Sequence, residues 1–129
     1  MNKEINLKNI KITDPFWAQK QDLVADIVIP YQEKILNDEI EGAEKSHALA
    51  NFRIAAGLEA GEFYGMVFQD SDVAKWIEAA AYALAAGPNP ELEKTVDDVI
   101  ALYGASQHEN GWWAMSFTLP GSFLQEIYV

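Results

Sequence analysis

The fold is decided by residues 71–103, which read SDVAKWIEAAAYALAAGPNPELEKTVDDVIALY. Apolar side chains recur three or four residues apart in both halves of this stretch, as in helices with one buried face. They are Val73, Trp76, Ile77, Ala80 and Leu84, then Leu92, Val96, Val99, Ile100 and Tyr103. Between them, the turn Gly87-Pro88-Asn89-Pro90 ends one helix at its glycine and starts the next at its last proline. The pattern predicts an αα-hairpin with helices over Ser71–Leu84 and Pro90–Tyr103.

The chain before this hairpin also begins with helical signals. Asp14 is an expected N-cap, and Pro15 follows it at the first helical position. Pro30 lacks a backbone donor, so it predicts a kink or two short helices in the same segment. The apolar stripe expected to face the core comprises Phe16, Leu23, Ile27 and Tyr31, widened by Val24, Val28 and Ile35.

The middle of the chain adds one more helix between two irregular stretches. A helix over residues 46–56 is expected to end at Gly57. An acidic loop at 38–45 precedes it, and an irregular stretch at 59–68, with two glycines among aromatic residues, follows it. Together with the hairpin, these signals predict an all-α protein.

The composition excludes several classes of function. Nine basic residues against twenty acidic ones give a net charge of -11, which disfavours binding to nucleic acid and to anionic membrane surfaces. The chain has no cysteine, so it offers no disulfide and no thiolate as nucleophile or metal ligand. The polar start at residues 1–5 is unlike a signal peptide, and no apolar run is long enough to span a bilayer. We expect a soluble cytoplasmic protein.

The segment Gln69-Asp70-Ser71-Asp72, at the start of the hairpin, is the main candidate for a binding role. Short polar side chains can bind sugar hydroxyls at a pocket rim. The same residues are typical of a helix start, with Ser71 or Asp70 as N-cap, and on the residues alone this capping role is favoured. Asp70 and Asp72 are two positions apart and point to different sides of a helix, unlike the paired carboxylates of a retaining glycosidase.

Histidines and aromatic residues give weaker signals. His47 and His108 sit in no pattern of metal ligands, so no metal site is predicted in this chain. No glycine-rich phosphate loop is present, which leaves nucleotide binding without support. Sugars stack on aromatic faces, and Phe63, Tyr64 and Phe68 are the best candidates because they lie in the irregular stretch. Core packing is expected instead for Phe16, Trp17, Tyr31, Phe52, Trp76 and Tyr82.

Five strings, in this order and at this spacing, resemble the start of glycoside hydrolase family 127, the β-L-arabinofuranosidases. They are DPFW at 14–17, IPYQ at 29–32, NFRIAAG at 51–57, FYGMVFQDSDVAKW at 63–76 and PNPELE at 88–93. The long central string is the most specific of the five. The resemblance runs from about Ile10 to Gly111.

This resemblance implies a partial (α/α) toroid made of helical hairpins, which in family members is followed by β-rich domains. It implies hydrolysis, with retention, of non-reducing-end β-L-arabinofuranose in an arabinose-containing plant-type glycan. The family nucleophile is a cysteine held on zinc by further cysteines and a glutamate, and none of these residues can be carried over to this chain. The residues that the resemblance places at the sugar pocket are Phe68, Gln69, Asp70 and Asp72.

The family pattern fails after Gly111, where an apolar tail begins. We therefore divide the chain into the amino-terminal part of the toroid, residues 1–111, and a divergent tail, residues 112–129, as a truncated or frameshifted reading frame would produce. The preferred hypothesis is an amino-terminal β-L-arabinofuranosidase fragment that is inactive alone, with no catalytic residue and no cofactor of its own. Its exposed apolar edge is expected to drive self-association. The alternative is a small helical sugar-binding or protein-interaction module without catalysis.

Overall fold

The computed structural model describes residues 6–66, 68–107 and 109, which form helices with no strand among them. The elements are the 3-10 turn Leu7–Asn9, α1 (Pro15–Leu23), a π-helical turn (Val24–Val28), α2 (Ile29–Leu36), α3 (Ala48–Ala55), α4 (Gln69–Ala86) and α5 (Pro90–Ala105). The all-α prediction is confirmed. The tail at 112–129 lies outside the described residues. Within the described ranges, no helix has both the length and the apolar character needed to cross a membrane.

The predicted αα-hairpin is present as α4 and α5. The Asn89 side chain accepts a hydrogen bond from the Leu92 N–H at 3.1 Å, and Pro90 is the first residue of α5, as the turn sequence predicts. Both helices run slightly further than the apolar periodicity indicates, to Ala86 and Ala105. α4 packs against α2, α3 and α5, so it is the central helix of the described fold.

α4 begins earlier than the sequence suggests. The prediction that Ser71 or Asp70 caps it is wrong, because the cap position belongs to Phe68, whose side chain makes no capping hydrogen bond. The Ser71 N–H and hydroxyl both donate to the Phe68 carbonyl oxygen, at 3.0 and 2.7 Å, so this turn is already helical. Asp70 and Asp72 therefore lie in the first turn, where carboxylates interact favourably with the helix dipole.

The first helical segment starts where predicted and is interrupted near Pro30. Asp14 Oδ1 accepts a hydrogen bond from the Trp17 N–H at 3.1 Å and caps α1. The helix then widens into the π turn, in which the Ile29 N–H bonds to the Val24 carbonyl oxygen, five residues back. Since Pro30 has no N–H to continue the ladder, the change of hydrogen-bond pattern falls directly before it.

The prediction of which face of this segment is buried is wrong. Ile29 and Leu36 fill the core, whereas most of the predicted stripe is exposed, and only its members Val28 and Ile35 are half-buried. α1 buries no residue, so Phe16 and Leu23 are exposed before the π turn, and this wider turn shifts the helical phase of the side chains that follow it. We call the exposed apolar side chains of this segment the bare face; its members are Phe16, Leu23, Val24, Ile27 and Tyr31.

The core lies around α4 and is built from small and branched apolar residues with a few aromatic rings. Its buried apolar members are Ile29, Leu36, Ala48, Leu49, Phe52, Phe63, Val73, Trp76, Ala80, Leu92, Val96 and Val99. The core role expected for Phe52 and Trp76 is confirmed. For Phe16, Trp17, Tyr31 and Tyr82 it is wrong, because these rings lie on sides that the described elements leave exposed.

Candidate functional site

The candidate site is formed by the stretch that connects α3 to α4. α3 ends as predicted at Gly57, whose φ of +71° suits glycine. The Gly57 N–H bonds to the Ile54 carbonyl oxygen at 3.0 Å, and the Leu58 N–H bonds to that of Arg53 at 2.9 Å. These two bonds are those of a Schellman motif. They close the helix and turn the chain into the irregular stretch that leads to Phe68.

Asn51 fixes this stretch to α3. Its side chain is buried, with 2% of its surface exposed. Its Nδ2 donates to the Tyr64 carbonyl oxygen at 2.9 Å, and its Oδ1 accepts from the Tyr64 N–H at 3.2 Å. The amide thus pairs with both backbone polar groups of one loop residue, in the manner of a neighbouring strand.

Gln69 points into the protein and adds a second set of internal hydrogen bonds to this stretch. Its Nε2 donates to the carbonyl oxygen of Ser46, and its Oε1 lies 3.5 Å from Asn51 Nδ2. Gly65 makes this possible, because it has a φ of +106° and a Cβ there would lie 2.2 Å from Gln69 Oε1. The Gln69 amide therefore serves internal bonds that hold the start of α4.

A histidine and a carboxylate, which the sequence did not connect, support the same loop. The His47 N–H donates to Asp38 Oδ1 at 2.9 Å, and His47 Nδ1 lies 3.3 Å from Asp38 Oδ2. Both residues have positive φ, 54° and 63°. The His47 ring lies 4.3 Å from the Tyr64 ring, centre to centre. A spacing of nine residues between Asp38 and His47 carries no helical or strand signal, so no pattern could have indicated the pair.

Of the three aromatic residues proposed for sugar stacking, two are accessible. Tyr64 and Phe68 have 63% and 58% of their surface exposed. Phe63 is buried, at 8%, and belongs to the core, so its expected role as a binding ring is wrong. The irregular backbone let Phe63 turn inward and its neighbour Tyr64 outward, which residue type alone does not reveal.

The two carboxylates of the first turn of α4 have different neighbours. Asp70 lies near Tyr103 of α5: burial first, and then the negative charge of Asp70, raises the pKa of the Tyr103 phenol. Asp72 accepts a hydrogen bond from Lys75 Nζ at 3.1 Å and lines a groove of about 310 Å³ between α2 and α4, together with Gln32 and Ile35. As expected from their spacing of two residues, Asp70 and Asp72 therefore have different surroundings.

A larger groove, of about 630 Å³, lies at the other end of α4. Trp17, Asp26, Tyr82 and Pro88 are among the residues that line it. α4 has 18 residues, so about 27 Å of helix separates its two ends. This groove is thus remote from the residues that the sequence singled out.

The donors of this chain do not fit the zinc site that the resemblance implies. The chain has no cysteine. Among residues 6–66, 68–107 and 109, no three histidines or carboxylates come together as a group that could hold a metal ion. A thiolate-ligated zinc therefore has no ligand set among these residues.

Comparison with known proteins gives consistent matches. A sequence model of the β-L-arabinofuranosidase GH127 catalytic domain matches residues 9–119. A non-reducing end β-L-arabinofuranosidase of Bifidobacterium longum subsp. longum is 46% identical over 116 residues, covering 81% of this chain and 18% of that protein.

Solved structures agree with the sequence matches. The crystal structure of a GH127 β-L-arabinofuranosidase from Geobacillus stearothermophilus T6 is 53% identical, with a TM-score of 0.84, and covers 92% of this chain and 19% of its own. A GH127 β-arabinofuranosidase is 27% identical, with a TM-score of 0.73, over 88% of this chain and 17% of its own. The chain thus spans less than a fifth of the length of each relative.

Proposed function

Because this chain belongs to the family of β-L-arabinofuranosidase GH127 catalytic domains, we propose that it forms one sugar-facing part of such a domain and does not hydrolyse glycans alone. The observation that carries the proposal is the superposition on the Geobacillus enzyme, with 53% identity and a TM-score of 0.84 over 92% of this chain. The described helices accordingly form part of an (α/α) toroid, as the resemblance implied.

The proposed ligand is an arabinose-containing glycan, the substrate class in the names of the relatives. We place it at the amino-terminal end of α4, with Phe68, Gln69, Asp70 and Asp72 as its neighbours. The exposed ring of Phe68 and the groove beside Asp72 support this placement. Gln69 contributes indirectly, since its amide is bonded to the Ser46 carbonyl oxygen.

No catalytic residue is assigned within this chain. Retaining hydrolysis needs a nucleophile and an acid, and the thiolate implied by the resemblance is absent because the chain contains no cysteine. The carboxylates at the start of α4 do not replace it, because Asp70 and Asp72 face different neighbours. We therefore propose that hydrolysis requires residues outside this chain, zinc ligands included.

A protein-interaction module is the second candidate, and the bare face favours it. Its five residues, Phe16, Leu23, Val24, Ile27 and Tyr31, all belong to the first helical segment and are about half exposed. An apolar surface of this kind normally finds a partner. We propose self-association through this face when the rest of a catalytic domain is absent.

The proposed function is tested by reconstitution. Three samples are assayed with zinc and a chromogenic β-L-arabinofuranoside. They are the purified chain, the Geobacillus enzyme without the segment that superposes on this chain, and a mixture of the two. We expect turnover from the mixture only. A chain carrying Val73→Asp, which places a carboxylate at a fully buried site, is the control that should not restore activity. Turnover by this chain alone, or none from the mixture, would reject the proposal.

A further inference from the structure

We infer that Asn51 is a positioning residue that holds Tyr64 as a second sugar-contacting ring, four residues before Phe68. This inference rests on the proposed function and extends it to a residue and a contact that the resemblance did not indicate. The resemblance pointed to Phe68 and the first turn of α4. The structure adds a second exposed ring and the polar bonds that fix it.

The buried position of Asn51 indicates that its hydrogen bonds matter. An amide excluded from water is tolerated only when its polar atoms are bonded, and an aliphatic side chain of similar volume would fill a core position without that requirement. Here both amide groups pair with the N–H and carbonyl of Tyr64, thirteen residues along the chain. The amide thus fixes the two peptide planes that flank Tyr64, and hence the direction of its side chain.

The backbone next to Tyr64 also holds the loop in place. Gly65, directly after Tyr64, has a φ of +106° that other residues rarely adopt, and the Gln69 amide occupies the space a Cβ would need. Gln69 is in turn bonded to the Ser46 carbonyl oxygen. The loop is therefore fixed on both sides of Tyr64.

The Tyr64 ring is both accessible to a ligand and supported by a neighbouring ring. It is 63% exposed, yet it lies against the His47 ring at 4.3 Å. His47 is itself held by Asp38, which binds its backbone N–H at 2.9 Å. An exposed ring supported in this way has little conformational freedom left to lose when a ligand binds. Such a ring is a preorganised contact. Its phenol also offers a hydrogen bond to a hydroxyl group.

The experiment uses NMR on the full chain with methyl β-L-arabinofuranoside as the probe. Asn51→Ala is compared with Asn37→Ala, a matched control whose amide bonds to Glu33 and Arg53, away from the loop. In Asn51→Ala we expect amide exchange at Tyr64 to rise about tenfold and the ring-current shift of His47 to be lost, with amides of α5 unchanged. The probe should shift Tyr64 and Phe68 signals in the wild type and in Asn37→Ala, but not in Asn51→Ala.

The outcomes separate this inference from the proposed function. If the probe shifts Phe68 and Asp72 but not Tyr64, the inference is overturned while the proposed function stands. If it shifts no signal, the proposed sugar site fails, and the sugar contact of Tyr64 fails with it. Equal exchange at Tyr64 in both variants overturns the positioning role. Should Asn51→Ala not fold, Gly65→Ala disturbs the same loop from outside the core and must give the same loss of probe binding.

Discussion

The indole nitrogen of Trp76 donates a hydrogen bond to the carbonyl oxygen of Ile29 at a distance of 3.0 Å. This bond joins the central helix α4 to the first residue of α2, directly after the π turn. The Trp76 side chain is 3% exposed, so the only polar atom of a large buried ring is satisfied by the backbone of a neighbouring helix. Packing and polar pairing at this point therefore depend on one side chain.

Replacing Trp76 by Ala should lower the free energy of unfolding by about 3–5 kcal/mol, the usual cost of removing a large buried ring. Trp17→Ala is the matched control, because Trp17 is 61% exposed. We expect the control to change stability by less than about 1 kcal/mol. Urea unfolding followed by circular dichroism measures both. Equal losses would show that Trp76 is not at the centre of the core.

Replacing two glycines by alanine, one at a time, should change stability in opposite directions. Gly65→Ala introduces a Cβ at a φ of +106° and against the Gln69 amide, so stability should fall by about 1–3 kcal/mol. Gly104 lies in α5 with open space around it, and Gly104→Ala should raise stability by about 0.5–1 kcal/mol. Thermal unfolding of the two variants measures both changes in stability. A change of the same sign in both variants would contradict this backbone geometry.

Glu33 should make stability depend on pH. Burial first, and then the negative charge of Glu39, raises the pKa of its carboxyl above the ordinary value of 4.5. The folded state therefore holds this proton more tightly than the unfolded chain does. Its stabilising contribution is complete below pH 4.5 and is lost as the pH rises through the raised pKa.

Glu33→Gln should therefore be more stable than the wild type at pH 7, with a difference that disappears on acidification below pH 4.5. Glutamine keeps an oxygen for the bond from Asn37 Nδ2, which is 2.6 Å long in the wild type. Glu44→Gln, at an exposed position, controls for the removal of one charge from a chain with a net charge of -11. A constant difference from pH 4 to pH 8 would contradict the prediction.

Self-association through the bare face should increase with salt. The net charge of -11 keeps copies apart at low ionic strength, and salt screens that repulsion while it leaves apolar contact intact. Ile27→Glu, on the bare face, should reduce light scattering at high salt, whereas Ile100→Glu, on α5, should not. If removal of residues 112–129 abolishes association and Ile27→Glu does not, the tail is responsible instead.

Local signals predicted much of the fold because they act over a few residues. The caps at Asp14, Asn89 and Gly57 lie where expected, and so does the hairpin that they help to delimit. Each of these features depends on side chains and backbone no more than four or five positions apart, which is the range that a sequence pattern conveys.

The remaining features depend on distant or non-α geometry. The tie between Asn51 and Tyr64 joins a side chain to backbone atoms thirteen residues away, and backbone atoms have no sequence signature. The buried face of α2 could not be predicted, because the π turn changes the helical phase. The substrate role of Phe68 and its neighbours Gln69, Asp70 and Asp72 was suggested by resemblance, not by pattern, and it remains a prediction.

The π turn also bears on which changes of chain length this protein tolerates. It holds one surplus residue within an otherwise regular helix, so loss of one residue between Val24 and Val28 restores the α hydrogen-bond pattern and leaves α1 and α2 in nearly the same relative rotation. Any small shift of α1 that remains disturbs no buried side chain, since α1 buries none. The same deletion in α4 would displace Trp76 or Val73 from the core. Length variants of one residue are therefore expected to survive at 24–28 and to be eliminated from the central helix.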